Sequence, residues 1–137
     1  MRITREDNPD MAKWFVPWFI MADEPLDDVY LTLIKGMRDR PDKTFCAVAS
    51  ENGFIQAILV AYDEGSHVWV AQAQARRGFR YSRFMFEGLL SWAASRGCEV
   101  VKCGTLNPRV AVLLTKRYKF ETEDVKDGLY RFTRNVK

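Results

Sequence analysis

Hydrophobic positions recur every third or fourth residue early in the chain, and this spacing predicts two helices. Asn8 and Pro9 cap and open the first, Pro17 breaks it near Val16, and Pro25 opens the second. The first stripe consists of Met11, Trp14, Phe15, Trp18 and Phe19. We interpret it as core, with a wall for an acceptor pocket as the alternative. The second stripe consists of Leu26, Val29, Tyr30, Leu33, Ile34 and Met37.

Short runs of alternating or continuous apolar residues predict strands, and Asn52-Gly53 and Asp127-Gly128 mark tight turns. The predicted strands are Met1–Thr4, Phe45–Ala49, Phe54–Tyr62, His67–Ala75, Val100–Thr105, Phe120–Val125 and Leu129–Thr133. Further helices should run from the end of the His67 strand to about Arg96, and from a cap at Asn107-Pro108. The order β-α-α-β-β-β-α-β-α-β-β predicts an α/β domain over residues 1–137, with a mixed sheet and helices on its faces.

Composition excludes several classes of protein. The net charge of +3 is too small to indicate nucleic acid by itself. The three cysteines form no CxxC pair, and the single histidine is His67, so we expect no metal site and interpret the cysteines as buried thiols in a reducing compartment. The apolar stretch from Trp14 to Ala22 is too short for a membrane span, and we expect a cytoplasmic protein that does not associate with a membrane.

The most informative segment is the predicted junction of a strand with a helix at Ala75–Arg83. A strand that turns directly into a helix aims free backbone N–H groups and the positive end of the helix dipole at one point, which favours an anion such as phosphate. Four arginines crowd this turn: Arg76, Arg77, Arg80 and Arg83. We interpret the cluster as an anion contact, and the alternative is a solvated turn.

The element order, with this junction at its middle, resembles the GNAT superfamily, the acyl-CoA N-acyltransferases. In that family a loop of the form Arg/Gln-x-x-Gly-x-Gly/Ala holds the diphosphate of coenzyme A through its backbone amides. In its longer form the motif reads Arg-Gly-x-Gly-x-Gly, and aligned from Arg77 it is matched by Arg77 and Gly78. Arg80 and Ser82 stand where the two signature glycines belong. Arg80 either replaces amide contacts with a charged fork onto phosphate or fills the pocket.

A second family pattern, Asn-x-x-Ala-x-x-Leu-Tyr-x-Lys-x-Gly-Phe, resembles the segment carrying Asn107, Ala111, Leu114 and Phe120, with one extra residue after Asn107. Thr115 stands where the family often has a tyrosine that protonates the leaving thiolate, Tyr118 follows three residues later, and Lys119 replaces the glycine. Thr115 and Tyr118 are therefore the catalytic candidates, with a core position as the alternative for Tyr118.

The resemblance implies a cofactor-binding set along the central strand, the junction and the late helix start: Gln72, Ala73, Gln74, Ala75, Arg77, Gly78, Phe79, Arg80, Tyr81, Ser82, Arg83 and Asn107. Ala71, Ala73 and Ala75 either leave room for a pantetheine arm or simply fit under a helix. For the general base the chain offers Glu64 and His67 near the start of the strand, and it offers Asp23, Glu24 and Asp27 on the acceptor side. None is placed convincingly, so deprotonation through water is an alternative.

The resemblance implies an N-acetyltransferase that uses acetyl-CoA as co-substrate and transfers its acyl group to a primary amine by direct attack. The alternative is a catalytically inactive structural or interaction protein with this fold. Small divergent proteins of this kind occur in tailed phages, some as particle components, which would make the chain virion-associated. Nucleic-acid binding through the basic clusters is a third interpretation without a recognisable motif. We expect a monomer or homodimer.

Overall fold

A mixed seven-stranded sheet forms the body of the protein, in the order β1-β2-β3-β4-β5-β7-β6. A computed structural model describes residues 1–6 and 35–137, apart from the side chain of Gln72. The strands are β1 (Arg2–Arg5), β2 (Thr44–Glu51), β3 (Phe54–Asp63), β4 (Val68–Ala75), β5 (Val100–Thr105), β6 (Glu121–Lys126) and β7 (Leu129–Asn135). All neighbouring pairs are antiparallel except β4 and β5, which are parallel.

Two helices follow β4 and β5. Helix α1 spans Ser82–Ser95 and helix α2 spans Pro108–Lys116. Residues 35–39 are also helical, and a 3₁₀ turn at Pro41–Lys43 leads into β2. Helix α1 is the crossover between the parallel strands β4 and β5, as such a pair requires.

The core lies between α1 and one face of the sheet, here called the first face. The alternation of each strand sends one set of side chains to this face. The set is Phe45, Ala47, Ala49, Ala57, Leu59, Ala61, Val68, Val101, Cys103 and Phe132, and it packs with Met85, Phe86, Leu89 and Ala93 of α1. Burial of this apolar surface, at about 25 cal/mol per Å², provides the main stabilisation of the fold. Small alanines on β2 and β3 let α1 approach closely.

The opposite face, here called the second face, changes character across the sheet. On β2 and β3 it carries buried side chains, among them Val48, Val60 and Tyr62. On β5 to β7 it carries ion pairs, with Lys102 Nζ 2.9 Å from Glu123 Oε1 and Arg131 Nε 3.8 Å from Asp124 Oδ1. The second face is therefore apolar on one half and polar on the other.

The predicted mixed α/β fold is confirmed, with strand ends that differ by one or two residues. Strand β2 extends past the predicted Phe45–Ala49 at both ends, and β7 continues to Asn135, because hydrogen-bonded pairing with a neighbour extends beyond the apolar run. The early stripes from Met11 to Ile34 lie outside the described residues, but Met37 is buried as predicted. No helix among the described residues is long and apolar enough to cross a membrane.

Candidate functional site

A gap opens in the middle of the sheet, between the parallel strands β4 and β5. The two strands pair only at Val68↔Val101 and Trp69↔Lys102, close to the start of each strand. Beyond these pairs, residues 70–75 of β4 pair with β3 alone within the described part of the chain, and Ala71 is left without a partner. The free edge of β4 therefore offers backbone N–H and C=O groups to a ligand lying in the gap.

A β-bulge in β4 lies just beyond the closed end of the gap. Val60 pairs with Gln72 and Ala61 pairs with Val70, so Ala71 is an extra residue with no partner on β3. Bulges bend a strand and redirect its backbone groups, and they recur next to active sites. The bulge therefore supplies an irregular backbone position at the closed end.

The predicted junction of strand and helix is present. Strand β4 ends at Ala75, and Arg76 N donates to Gln56 O at 2.8 Å, so pairing with β3 continues to this point. A turn follows in which Phe79 N donates to Arg76 O at 3.1 Å. Gly78 has a φ of +87°, a conformation in which a side chain is strained, so the matched family glycine is required here by the backbone.

The first turn of α1 carries N–H groups that find no acceptor among the residues the structure describes. Tyr81 is the N-cap residue and its side chain makes no capping hydrogen bond, and the first turn contains no acidic residue. Met85 N donates to Tyr81 O at 3.0 Å, whereas the N–H groups of Ser82, Arg83 and Phe84 have no acceptor among the described residues. Such a helix terminus favours an anion.

The arginines of the junction are exposed and leave this corner open. Within residues 1–6 and 35–137, the guanidinium groups of Arg77, Arg80 and Arg83 form no hydrogen bond or ion pair with protein groups. Phe79 is half-buried against the core, and Tyr81 is 45% exposed. Arg80, which stands in the place of a family glycine, points to solvent and does not bury itself in the turn.

The two catalytic candidates are placed near the end of α2. Thr115 Oγ1 donates to Val112 O at 3.0 Å and to Ala111 O at 3.3 Å, so its hydroxyl proton is directed at the helix backbone. Tyr118 packs edge-on against Phe86 with ring centroids 5.2 Å apart. Asn107 caps α2 as predicted, because its Oδ1 accepts from Arg109 N at 2.9 Å. That contact leaves the amide nitrogen of Asn107 available to a ligand.

The titratable groups near the start of β4 already have partners. Glu64 Oε2 lies 3.3 Å from a guanidinium nitrogen of Arg40, and His67 Nδ1 lies 2.9 Å from Ser66 Oγ. Asp23, Glu24 and Asp27 lie outside the described residues. The three cysteines are buried, which confirms the prediction, and burial raises the pKa of the Cys103 thiol to about 12. This thiol is therefore neutral at physiological pH.

Two residues beside the gap were not singled out in the sequence: Trp69 and Gly104. The Cη2 atom of Trp69 lies 3.7 Å from the position that a Cβ on residue 104 would take. The indole therefore reaches from β4 across to β5 at the closed end of the gap. A signal was present, since a large aromatic on β4 and a glycine inside the predicted strand Val100–Thr105 together suggest a close approach.

Comparison with solved structures shows the fold. No protein-family model matches the sequence, and no curated protein does. An acetyltransferase from Streptococcus agalactiae superimposes with a TM-score of 0.77 at 12% identity, covering 98% of this chain and 97% of the other. A GNAT-family acetyltransferase from Staphylococcus aureus gives 0.76 at 11% identity, covering 99% and 100%. The PaiA N-acetyltransferase from Thermoplasma acidophilum, solved with coenzyme A, gives 0.71 at 9% identity, covering 98% and 99%.

The chain therefore has the fold of the GNAT acetyltransferases, over its whole length. At these identities the likeness establishes the fold alone, and function has to be argued from the site.

Proposed function

We propose that the protein binds acetyl-CoA or a related acyl-CoA in the β4–β5 gap and transfers the acyl group to a primary amine. The observation that carries the proposal is the junction, where an open strand edge leads to three helix N–H groups that have no acceptor in the described part of the chain, next to exposed arginines. A diphosphate needs such donors, and arginine forks bind its oxygens tightly. The coenzyme-A complex of the structurally similar PaiA N-acetyltransferase supports the same ligand class.

Each part of the ligand has a complementary part of the site. The N–H groups of Ser82 and Arg83, with the side chains of Arg77 and Arg80, would hold the diphosphate. The free edge at Gln72–Ala75 would pair with the amide groups of the pantetheine arm, as one strand pairs with another. Asn107 lies where β5 gives way to α2, and its amide nitrogen is a further donor.

The chemistry requires positioning more than acid and base groups. The amine nitrogen attacks the thioester carbon, the carbon–sulfur bond breaks, and the coenzyme A thiolate leaves and takes up a proton. The attacking nitrogen loses its proton to water. A backbone N–H at the Ala71 bulge is the candidate donor to the oxygen that develops negative charge. Thr115 and Tyr118 remain the candidates for protonating the thiolate.

A second candidate is a protein of this fold that binds acyl-CoA without turnover. Two contacts favour this candidate: the Thr115 hydroxyl donates to the helix backbone, and the Tyr118 ring packs on Phe86. Turnover on a panel of amines separates the two, because an inactive interaction protein would bind the thioester and leave it intact.

Binding is tested by calorimetric titration of acetyl-CoA into the wild type and Arg80→Glu. Loss of a charge-assisted contact and gain of repulsion should weaken binding by roughly tenfold or more. Arg2→Glu, the same change on the edge strand β1 at the far side of the sheet, should bind as the wild type does. Because Arg80 is exposed, Arg80→Gly should also weaken binding. Stronger binding by that variant would mean that Arg80 blocks the site, and no heat at millimolar acetyl-CoA would reject the proposed function.

A further inference from the structure

The indole of Trp69 covers the closed end of the β4–β5 gap on the second face of the sheet. Val68 is fully buried on the first face, so its neighbour Trp69 points to the second. Cys103 is in the core, so Gly104 likewise faces the second side. The Cη2 atom of Trp69 approaches Gly104, two residues beyond its pairing partner Lys102. The indole therefore extends diagonally towards the open part of the gap.

Residue 104 lies in a closely packed part of this arrangement. A Cβ there would lie 3.7 Å from the indole, 3.5 Å from Leu129 Cδ1 and 3.4 Å from the carbonyl oxygen of Tyr130. These are ordinary van der Waals distances, so an alanine would fit here and little free space would remain around it. Trp69 is half-buried, so part of its side chain stays accessible.

The other boundaries of the closed end are fixed by the fold. Between the strands, the pairs Val68↔Val101 and Trp69↔Lys102 leave no passage. On the first face, Val68, Val101 and Cys103 are buried beneath α1 and are at most 7% exposed. Within residues 1–6 and 35–137, the side left open to a chain that reaches the closed end is the second face, where the indole lies.

A ligand held at the junction would bring its thiol end close to this point. Strand β4 covers about 17 Å between Val70 and Ala75 at 3.4 Å per residue, comparable to an extended pantetheine arm. The thioester of a ligand anchored by its diphosphate therefore lies near the Ala71 bulge, and its acyl group extends towards Trp69.

We propose that Trp69 restricts the acyl group to a short chain by closing the second-face side of the gap. This inference rests on the proposed function, since it concerns the acyl end of the same ligand. A hydrophobic pocket distinguishes chains that differ by one methylene by roughly 10- to 200-fold. The wild type should accordingly bind acetyl-CoA at least tenfold more tightly than butyryl-CoA.

The test is a calorimetric comparison of free coenzyme A, acetyl-CoA and butyryl-CoA with the wild type, Trp69→Ala and Trp69→Phe. In Trp69→Ala the dissociation constants of acetyl-CoA and butyryl-CoA should lie within about threefold of each other, and the dissociation constant of free coenzyme A should not change. The discrimination between the two thioesters by Trp69→Phe should lie between that of the wild type and that of the alanine variant. Because Trp69→Phe retains an aromatic ring, it also serves as the test if the alanine variant does not fold. Trp92→Phe is the matched control, because Trp92 packs on Phe45 and lies near Arg5, at the β1–β2 side of the sheet.

The outcomes distinguish the two proposals. Unchanged discrimination in folded Trp69→Phe and Trp69→Ala would overturn the role of Trp69 while leaving coenzyme A binding intact. Equal binding of acetyl-CoA and butyryl-CoA by the wild type would overturn it as well. If the wild type binds none of the three ligands, the proposed function itself fails.

Discussion

Asp63 shows how one buried carboxylate ties three parts of the structure together. It is the last residue of β3, and its oxygens accept from Gly65 N at 2.8 Å, from Arg96 Nε at 2.9 Å and from Cys98 Sγ at 3.4 Å. These donors, led by the Gly65 N–H, lower the pKa of Asp63 below its usual value. Burial, and after it the hydrogen bond to Asp63, raise the pKa of the Cys98 thiol. The contribution of this cluster to the free energy of unfolding therefore depends on the carboxylate being ionised.

Replacing Asp63 by Asn should destabilise the protein, and the loss should depend on pH. At neutral pH we expect the free energy of unfolding to fall by about 2 kcal/mol, because Arg96 keeps a partly buried charge without its partner. A lowered folded-state pKa contributes stability that is complete above the unfolded value, about 3.9, and lost as the pH falls through the folded value. The difference between wild type and variant should therefore shrink below about pH 4.

The measurement is urea denaturation at neutral and acidic pH, with Asp124→Asn as the matched control. Asp124 also pairs with an arginine, but the two side chains are about half exposed, at 51% and 53%. Exposed pairs contribute little, so this variant should lose at most about 0.5 kcal/mol. Equal losses for the two variants, or a loss at Asp63 that does not change with pH, would contradict the role of the buried cluster.

Single residues were predicted unevenly from the sequence. Asn107 was predicted as a helix cap, and its local pattern was sufficient because capping depends on neighbours in the chain. Asp63 follows the predicted strand Phe54–Tyr62 and was not predicted as a buried carboxylate, since its partners Arg96 and Cys98 are more than thirty residues away. Trp69 and Gly104 were missed for the same reason: their contact joins strands that are separated by α1.

At the scale of elements, the end of α2 explains one departure from the family pattern. Lys119 occupies the position of the family's glycine and adopts a φ of +61°. Phe120 N then donates to Leu114 O at 3.0 Å, and Phe120 enters the core. The turn requires the left-handed backbone conformation at residue 119, and a lysine adopts this conformation only at a cost in free energy.

Replacing Lys119 by Gly should therefore stabilise the protein. The left-handed conformation costs an L-residue about 1–2 kcal/mol, and glycine loses about 0.5–1 kcal/mol more backbone entropy on folding. We expect a net gain of about 0.5–1 kcal/mol in the free energy of unfolding, measured by chemical denaturation. Lys116→Gly, inside the last turn of α2, should instead lose about 1 kcal/mol. A loss of stability in Lys119→Gly would show that the lysine side chain has a structural role.

The junction and the helices that follow it could be predicted because their signals are local. An alternating run, a glycine and a helical stripe follow each other between His67 and Arg96, and α1 ends before Gly97 with its φ of +78°. The parallel crossover followed from the element order. The divergence of β4 and β5 and the Ala71 bulge could not be predicted, because pairing between strands is not visible in either strand alone.

For the whole molecule, the proposed binding site depends on three features that no single element contains. The sheet opens between β4 and β5, and the helix that connects them starts with N–H groups that have no acceptor within residues 1–6 and 35–137. Positive charge is concentrated at that start although the chain carries only +3 overall. The fold brings these features together at one edge of the gap. The acceptor, the oligomeric state and the cellular location remain predictions.

A crystal structure of the protein with acetyl-CoA tests this account most directly. We predict that the diphosphate oxygens lie within about 3 Å of the N–H groups of Ser82 and Arg83, with the pantetheine arm along Gln72–Ala75 and the acetyl group beside Trp69. A ligand bound elsewhere on the protein, or crystals soaked at millimolar acetyl-CoA in which the junction holds only water, would contradict it.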